Sequence, residues 1–148
     1  MKIIKGCLFC GIAGKEITEN VFKLYEDKLL FALLSNNPVN RGHAIVLTRE
    51  HICNPSSLSQ EVAGKMFHLA TRIGIAAKRG LNADGYDIFT AEGYCAGQGI
   101  EHVHLHVIPR YLGDGHSWNW KILTIQDEFR AISNNIISKL NHLDTLSP

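Results

Sequence analysis

The spacing of apolar residues divides the chain into several short runs and two longer stripes. Val21–Glu26 and Leu29–Leu34 are rich in strand-forming residues and are parted by Asp27-Lys28, which predicts a tight β-hairpin. Asn36-Asn37-Pro38 breaks the pattern, and His43–Thr48 resumes it as a third strand. The period then changes. Val62, Met66, Leu69, Ile73 and Ala76 recur at spacings of 4, 3, 4 and 3, the apolar face of an amphipathic helix ending near Gly80. Ser57 and Gln60 have the spacing of a capping box at its start. Asp84-Gly85 turns the chain into a fourth strand, Tyr86–Ala91, and a glycine-rich loop runs from Glu92 to Gly99. The fifth strand holds His102-Val103-His104-Leu105-His106 and is expected to close at Pro109. Phe129, Ile132, Ile136 and Leu140 then line a C-terminal helix that Thr124 and Asp127 can cap. Tyr111–Lys121, with Trp118 and Trp120, has no periodic signature. Strands, a long helix and strands again, joined by short connections, predict an α+β fold. Its expected core is a mostly antiparallel five-stranded sheet with one long helix and a C-terminal helix.

Composition narrows the function classes. The 148 residues, expected to form a single domain over 1–148, carry 15 Lys+Arg against 14 Asp+Glu, a formal net charge of +1. A balance so close to neutral argues against a nucleic-acid polymer as partner and against a polybasic membrane anchor. No apolar run approaches the roughly 18 residues of a membrane span, and the first residues lack the apolar stretch of a secretory signal. The expected location is therefore the cytoplasm, with the four cysteines reduced. Cys53 and Cys95 are isolated and expected to be small buried hydrophobes. Cys7 and Cys10 form C-x-x-C, which is either a redox dithiol or half of a zinc site.

The unusual feature is histidine, with 8 in all and three at alternate positions. In a strand, His102, His104 and His106 project from one face, while Val103, Leu105 and Val107 pack on the other. The outer two are roughly 13 Å apart along the backbone, so three imidazoles in a row cannot all reach one tetrahedral ion, although two neighbours can. The three must divide the work. Just upstream, Gly93, Gly97 and Gly99 offer backbone amides with little bulk, the material of an anion-binding nest. Histidine titrates near neutrality, so a neutral imidazole can attack while a charged neighbour stabilises developing negative charge.

The run His102-Val-His-Leu-His-Val-Ile108, preceded by Ala96-Gly97-Gln98, resembles the histidine triad (HIT) superfamily of nucleotide hydrolases and transferases. The resemblance extends to Asn37-Pro-Val-Asn-Arg-Gly-His43, Arg49-Glu-His51 and Cys7-Leu-Phe-Cys10-Gly-Ile, and covers about residues 7–110. It implies a two-step nucleotidyl transfer in which His104 attacks the α-phosphorus and water resolves a nucleotidyl-histidine. It further implies that His106 and the loop at Gly97, Gln98 and Gly99 hold the non-bridging oxygens, and that His43 supports the triad. In members with the N-terminal C-x-x-C, the matching positions hold zinc, which here gives Cys7, Cys10, His51 and His102. Four protein ligands leave no open position, so the zinc implied is structural. A homodimer is also implied by the resemblance.

Three positions depart from the family pattern. Ser35 stands where Asp or Asn binds the ribose hydroxyls, with Asn36 and Asn37 adjacent; Ala91 replaces a frequent Asn; Gly99 replaces a hydroxyl residue that helps the leaving group. The third histidine is retained, which favours a hydrolase over the transferase branches. The substrate expected is a dinucleoside polyphosphate or another adenylylated compound. Two other readings stay open: a metal-dependent hydrolase, and a non-catalytic zinc-stabilised nucleotide-binding module.

Overall fold

A computed structural model describes residues 3–115 and 126–144. The elements are α1 (Leu8–Ala13), β1 (Lys23–Glu26), β2 (Leu30–Leu34), β3 (Ala44–Thr48), α2 (Gln60–Leu81), β4 (Gly85–Phe89), β5 (His104–Arg110) and α3 (Gln126–Asp144). Five strands form one sheet in the order β1-β2-β3-β5-β4, every neighbouring pair antiparallel. The architecture is α+β with one long helix and a C-terminal helix, as the apolar pattern predicts.

Both faces of the central sheet are covered. Leu30, Ala32 and Leu34 of β2, Ala44 and Val46 of β3, and Val107 of β5 pack with the apolar stripes of α2 and α3. Phe31, Leu33, Ile45 and Leu47 project from the opposite face and pack with Phe9, Ile12 and Ala13 of α1. This two-sided burial explains why β2 and β3 are continuous apolar runs with no alternation. Close approach is built in where the helices meet the sheet. A Cβ on Gly74 of α2 would lie 2.5 Å from the Tyr86 ring, and one on Gly42, whose φ is +84°, would lie 2.3 Å from Leu81.

Several boundaries differ from the sequence expectation for physical reasons. The β1–β2 connection is three residues, Asp27–Leu29, because the Asp27 carboxylate accepts from the amides of Leu29 and Leu30, each at 2.7 Å. Ser59, not Ser57, caps α2 by accepting from Val62 N–H at 3.2 Å. Pro55–Ser57 instead forms a 3₁₀ turn. The helix ends at Leu81, with Asn82 in the left-handed region at φ 56°. Strand β4 stops at Phe89, before Ala91. Pro109 does not close β5: its missing N–H points toward β3, where the ladder has already ended at the Ala44–Val107 pair. The six-residue helix α1 has no counterpart in the pattern of apolar positions. The expected cap at Thr124 and the pair Trp118 and Trp120 lie outside the described residues.

Candidate functional site

Strand β5 brings the histidines to the α1 side of the sheet. His104 stands opposite Leu47 of β3, and His106 opposite Ile45, so both share the face of those two residues. His102 lies two residues before the strand and is fully buried. There Val103 N–H donates to Ile52 O at 2.7 Å, which ties the start of the triad to the segment beyond β3.

The hydrogen bonds assign a role to each ring nitrogen. His104 Nδ1 is 2.7 Å from the carbonyl oxygen of His102 and can only donate to it. In the neutral ring, Nε2 of His104 therefore carries a free lone pair. His43 Nδ1 accepts from Val39 N–H at 3.1 Å, so its own hydrogen sits on Nε2 and is donated to His106 Nδ1 at 3.0 Å. That places the hydrogen of the neutral His106 ring on Nε2, which makes this nitrogen a donor. The triad thus offers a nucleophilic lone pair beside an N–H donor, with ring centroids 4.8 Å apart.

Burial keeps these rings neutral. The His43 pKa is pushed down to about 3, by desolvation first and then by His106 and His104. His106 is pushed down to about 3, by desolvation and then by His104. His104 is lowered by burial, partly offset by its bond to the His102 carbonyl.

Two aromatic rings with no signal in the local sequence bracket the triad. Phe89 of β4 pairs with His106 in the sheet and stacks on it, with centroids 4.5 Å apart and planes at 17°. Phe9, inside C-x-x-C, meets His104 at 5.4 Å and His102 at 5.7 Å in edge geometry. The signal for Phe89 is its register opposite His106, which needs the strand pairing to be known.

Cys7, Cys10, His51 and His102 converge, with their donor atoms within 4.8 Å of one another. Cys7 Sγ is 3.5 Å and Cys10 Sγ 3.7 Å from His102 Nδ1, and Cys10 Sγ is 3.3 Å from His51 Nδ1. A tetrahedron with metal–sulfur bonds of about 2.3 Å and metal–nitrogen bonds of about 2.05 Å has sulfur–nitrogen edges of about 3.6 Å. The cluster is therefore able to hold a zinc-sized ion in a closed Cys₂His₂ set. His102 Nε2 donates to Thr48 O at 2.8 Å, which leaves Nδ1 free to face the ion. Two histidine nitrogens converge on the two thiols, a donor set that favours metal over disulfide chemistry. With four protein donors there is no place for a metal-bound water.

The glycine loop is more self-contained than expected. Gly97 N–H donates to Tyr94 O at 2.9 Å and Gln98 N–H to Gly93 O at 3.2 Å. The Gln98 side chain is buried, accepting from Gly93 N–H and donating to Cys53 O, both at 2.7 Å. Gln98 thus fastens the loop, and the Gly99 amide takes part in none of these bonds. Ser35 pairs through its N–H with His43 O at 2.8 Å, and its hydroxyl donates to Asn37 O at 3.1 Å. That places Ser35 beside the histidine supporting the triad. Asn36 is exposed next to it. Cys95 is exposed, contrary to expectation, because the 3₁₀ turn Tyr94–Ala96 lifts it out of the core. Cys53 is half-buried, 3.3 Å from His51 Nε2.

The sequence pattern of the HIT domain matches residues 15–113. Protein hit of Bacillus subtilis is 33% identical over 146 residues, covering 95% of this chain and 98% of that protein. Among solved structures, a zinc-bound histidine triad family protein from Mycobacterium smegmatis superposes with TM-score 0.84 at 29% identity, covering 96% of this chain and 98% of its own. A hypothetical histidine triad nucleotide-binding protein from Sulfolobus tokodaii gives TM-score 0.84 at 26% identity, covering 93% and 94%.

Proposed function

Because the chain belongs to the HIT domain family, we propose that it is a nucleotide hydrolase of histidine triad type. Its substrate is a dinucleoside polyphosphate or another adenylylated compound, cleaved at the α-phosphate through a covalent nucleotidyl-histidine. The observation that carries this reading is the 2.7 Å bond from His104 Nδ1 to the His102 carbonyl, which leaves Nε2 unprotonated.

His104 Nε2 gives its lone pair to the α-phosphorus and a new P–N bond forms. The bond from phosphorus to the leaving-group oxygen (nitrogen in an adenylylated amine) breaks, its electrons leaving with that group. The ring becomes cationic, and its Nδ1–H leans on the His102 carbonyl. His106 donates Nε2–H to a non-bridging oxygen as charge accumulates there, held in that tautomer by His43. Water then attacks phosphorus, the P–N electrons return to Nε2, and the water's proton leaves to solvent. A zinc ion in the Cys₂His₂ set supplies a structural cross-link between α1 and the start of the triad.

The Sulfolobus tokodaii neighbour is described as a nucleotide-binding protein, which supports the substrate class. A second copy of the chain belongs to the same reading. Strand β4 lies at the sheet edge with half-buried side chains, and a copy of itself could extend the ladder there. No helix among the described residues is long and apolar enough to cross a membrane.

Rapid quench of the protein with a panel of diadenosine polyphosphates and adenylylated amines, read by intact mass, tests the mechanism. A nucleotidyl adduct is expected that disappears in His104→Ala. Turnover with no adduct, dependent reversibly on added metal, overturns it. Tight monophosphate binding with no turnover of any panel member also does so.

A further inference from the structure

We propose that Cys53 is a positioning residue of the metal centre, holding His51 in the tautomer whose Nδ1 faces the ion. Cys53 follows His51 by two residues, and its Sγ is 3.3 Å from His51 Nε2. On the opposite side of the same ring, Cys10 Sγ is 3.3 Å from Nδ1. One imidazole is therefore held at both nitrogens, by a thiol of the donor set in front and by a thiol outside that set behind. A neutral imidazole has a single N–H. With Nδ1 turned to the ion, that hydrogen sits on Nε2, and Cys53 Sγ is the atom placed to accept it.

His102 repeats the arrangement. Its Nδ1 faces Cys7 and Cys10, at 3.5 and 3.7 Å, while Nε2 donates to Thr48 O at 2.8 Å. Both histidines thus have an acceptor behind the ring that fixes the nitrogen in front, the device that orients metal-binding imidazoles and raises their basicity. Behind His102 the shorter contact is to a backbone carbonyl, which no side-chain substitution removes, with the Thr48 hydroxyl 3.3 Å from the same nitrogen. Behind His51 the acceptor is a side chain, so it can be changed. Cys53 is half-buried and lines an open cavity of about 550 Å³ with His51, Cys7 and Ile100, so a substitution there displaces no core atom. It is absent from the four-residue donor cluster.

The zinc-loaded full chain is titrated against a chromophoric chelator at fixed pH, comparing the parent with Cys53→Ala and Cys53→Asp. Cys53→Ala removes the acceptor and is expected to weaken zinc about tenfold to a hundredfold. Cys53→Asp supplies a carboxylate acceptor and is expected to stay within about threefold of the parent. Cys95→Ala, exposed and outside the centre, leaves affinity unchanged. Parent-like affinity in Cys53→Ala, or equal weakening in both Cys53 variants, overturns the proposal. A second measurement needs no variant: long-range ¹H–¹⁵N correlation on the zinc-loaded parent is expected to show His51 Nε2 protonated and Nδ1 metal-bound. The reverse assignment overturns it.

Discussion

His43 is the residue on which the proposed division of labour can be tested most sharply, because it is buried at 1% exposure and bonds the third histidine of the triad from behind. Its Nδ1 accepts from Val39 N–H at 3.1 Å and its Nε2–H fixes His106 at 3.0 Å. His43→Phe keeps a ring but removes both bonds; His43→Asn keeps an oxygen able to accept from Val39 and removes the donor to His106. A bond between two neutral groups is worth about 0.5–1.5 kcal/mol net, which at 1.36 kcal/mol per decade is roughly a two- to twelvefold bias in the His106 tautomer. Complete loss of the His106 donor sets the ceiling, about a hundredfold to a thousandfold. Both variants are therefore expected to lose roughly threefold to a hundredfold in kcat/KM on the best substrate of the panel. His43→Phe also strands the buried Val39 N–H, which costs about 1–3 kcal/mol in urea unfolding. Adduct formation by quench, and ¹⁵N correlation of His106, report the tautomer directly. If both variants keep kcat/KM within about twofold while stability falls, His43 is a packing residue and the relay is wrong.

Further outcomes follow from the same structure. Phe89→Leu removes a stacked partner of His106, and since such aromatic pairs contribute about 0.5–1.5 kcal/mol beyond burial, kcat should fall roughly twofold to tenfold while Phe89→Tyr retains it. Neutral His104 is the attacking form and burial lowers its pKa, so the acid limb of kcat/KM should lie below the ordinary histidine value of about 6.5; a limb above it contradicts the assignment. The same sign governs stability: His43 titrates at about 3 when folded and about 6.5 when unfolded, so its contribution falls as pH drops through that window and is constant above it, measurable as urea midpoints in parent and His43→Asn. Gly42→Ala meets Leu81 at a positive φ and should cost about 1–3 kcal/mol, whereas Gly85→Ala, with nothing within 4 Å of its Cβ, should cost under about 1 kcal/mol. Metal analysis should find zinc bound near equimolar with chain, and chelation or Cys10→Ser should lower the melting temperature and loosen α1, read as lost hydrogen-exchange protection at Phe9 and Ile12.

What could be read in the sequence was whatever repeats locally. Strands β2 and β3 and helix α2 announce themselves because burial on their faces writes a continuous run or a 3–4 spacing into the residues themselves. Helix α1 does not, since six residues are too short to show a stripe. Ser57 and Ser59 both precede the apolar stripe, and the choice between them was made by Pro55, which draws Ser56 and Ser57 into a 3₁₀ turn and leaves Ser59 extended at ψ 152°. The donor set was legible through its resemblance to a known pattern, whereas the partners of its histidines were not. The resemblance places Gln98 in the substrate loop, and the bond of its side chain to the Cys53 carbonyl, 45 residues away, is one that no local pattern encodes.

His102 explains why alternate spacing suits the site. Its side chain points into the donor cluster, with Nε2 tied to Thr48 O and Nδ1 facing the two thiols. Its backbone carbonyl, one peptide away from that side chain, accepts the Nδ1–H of His104. One residue therefore belongs to two centres, through chemically different groups that cannot move independently. Phe9 repeats the connection from the other side, because it sits between the two cysteines and places its ring edge against both His102 and His104. The cysteine side thus touches the His104 ring by two routes, a peptide unit and an aromatic contact. Spacing of two is the smallest that keeps both imidazoles on one face of an extended chain while leaving the intervening carbonyl free to bond the second ring. The four donors would hold a metal apart from the proposed chemistry, and the residue that supplies one of them also supplies the carbonyl that fixes the His104 tautomer.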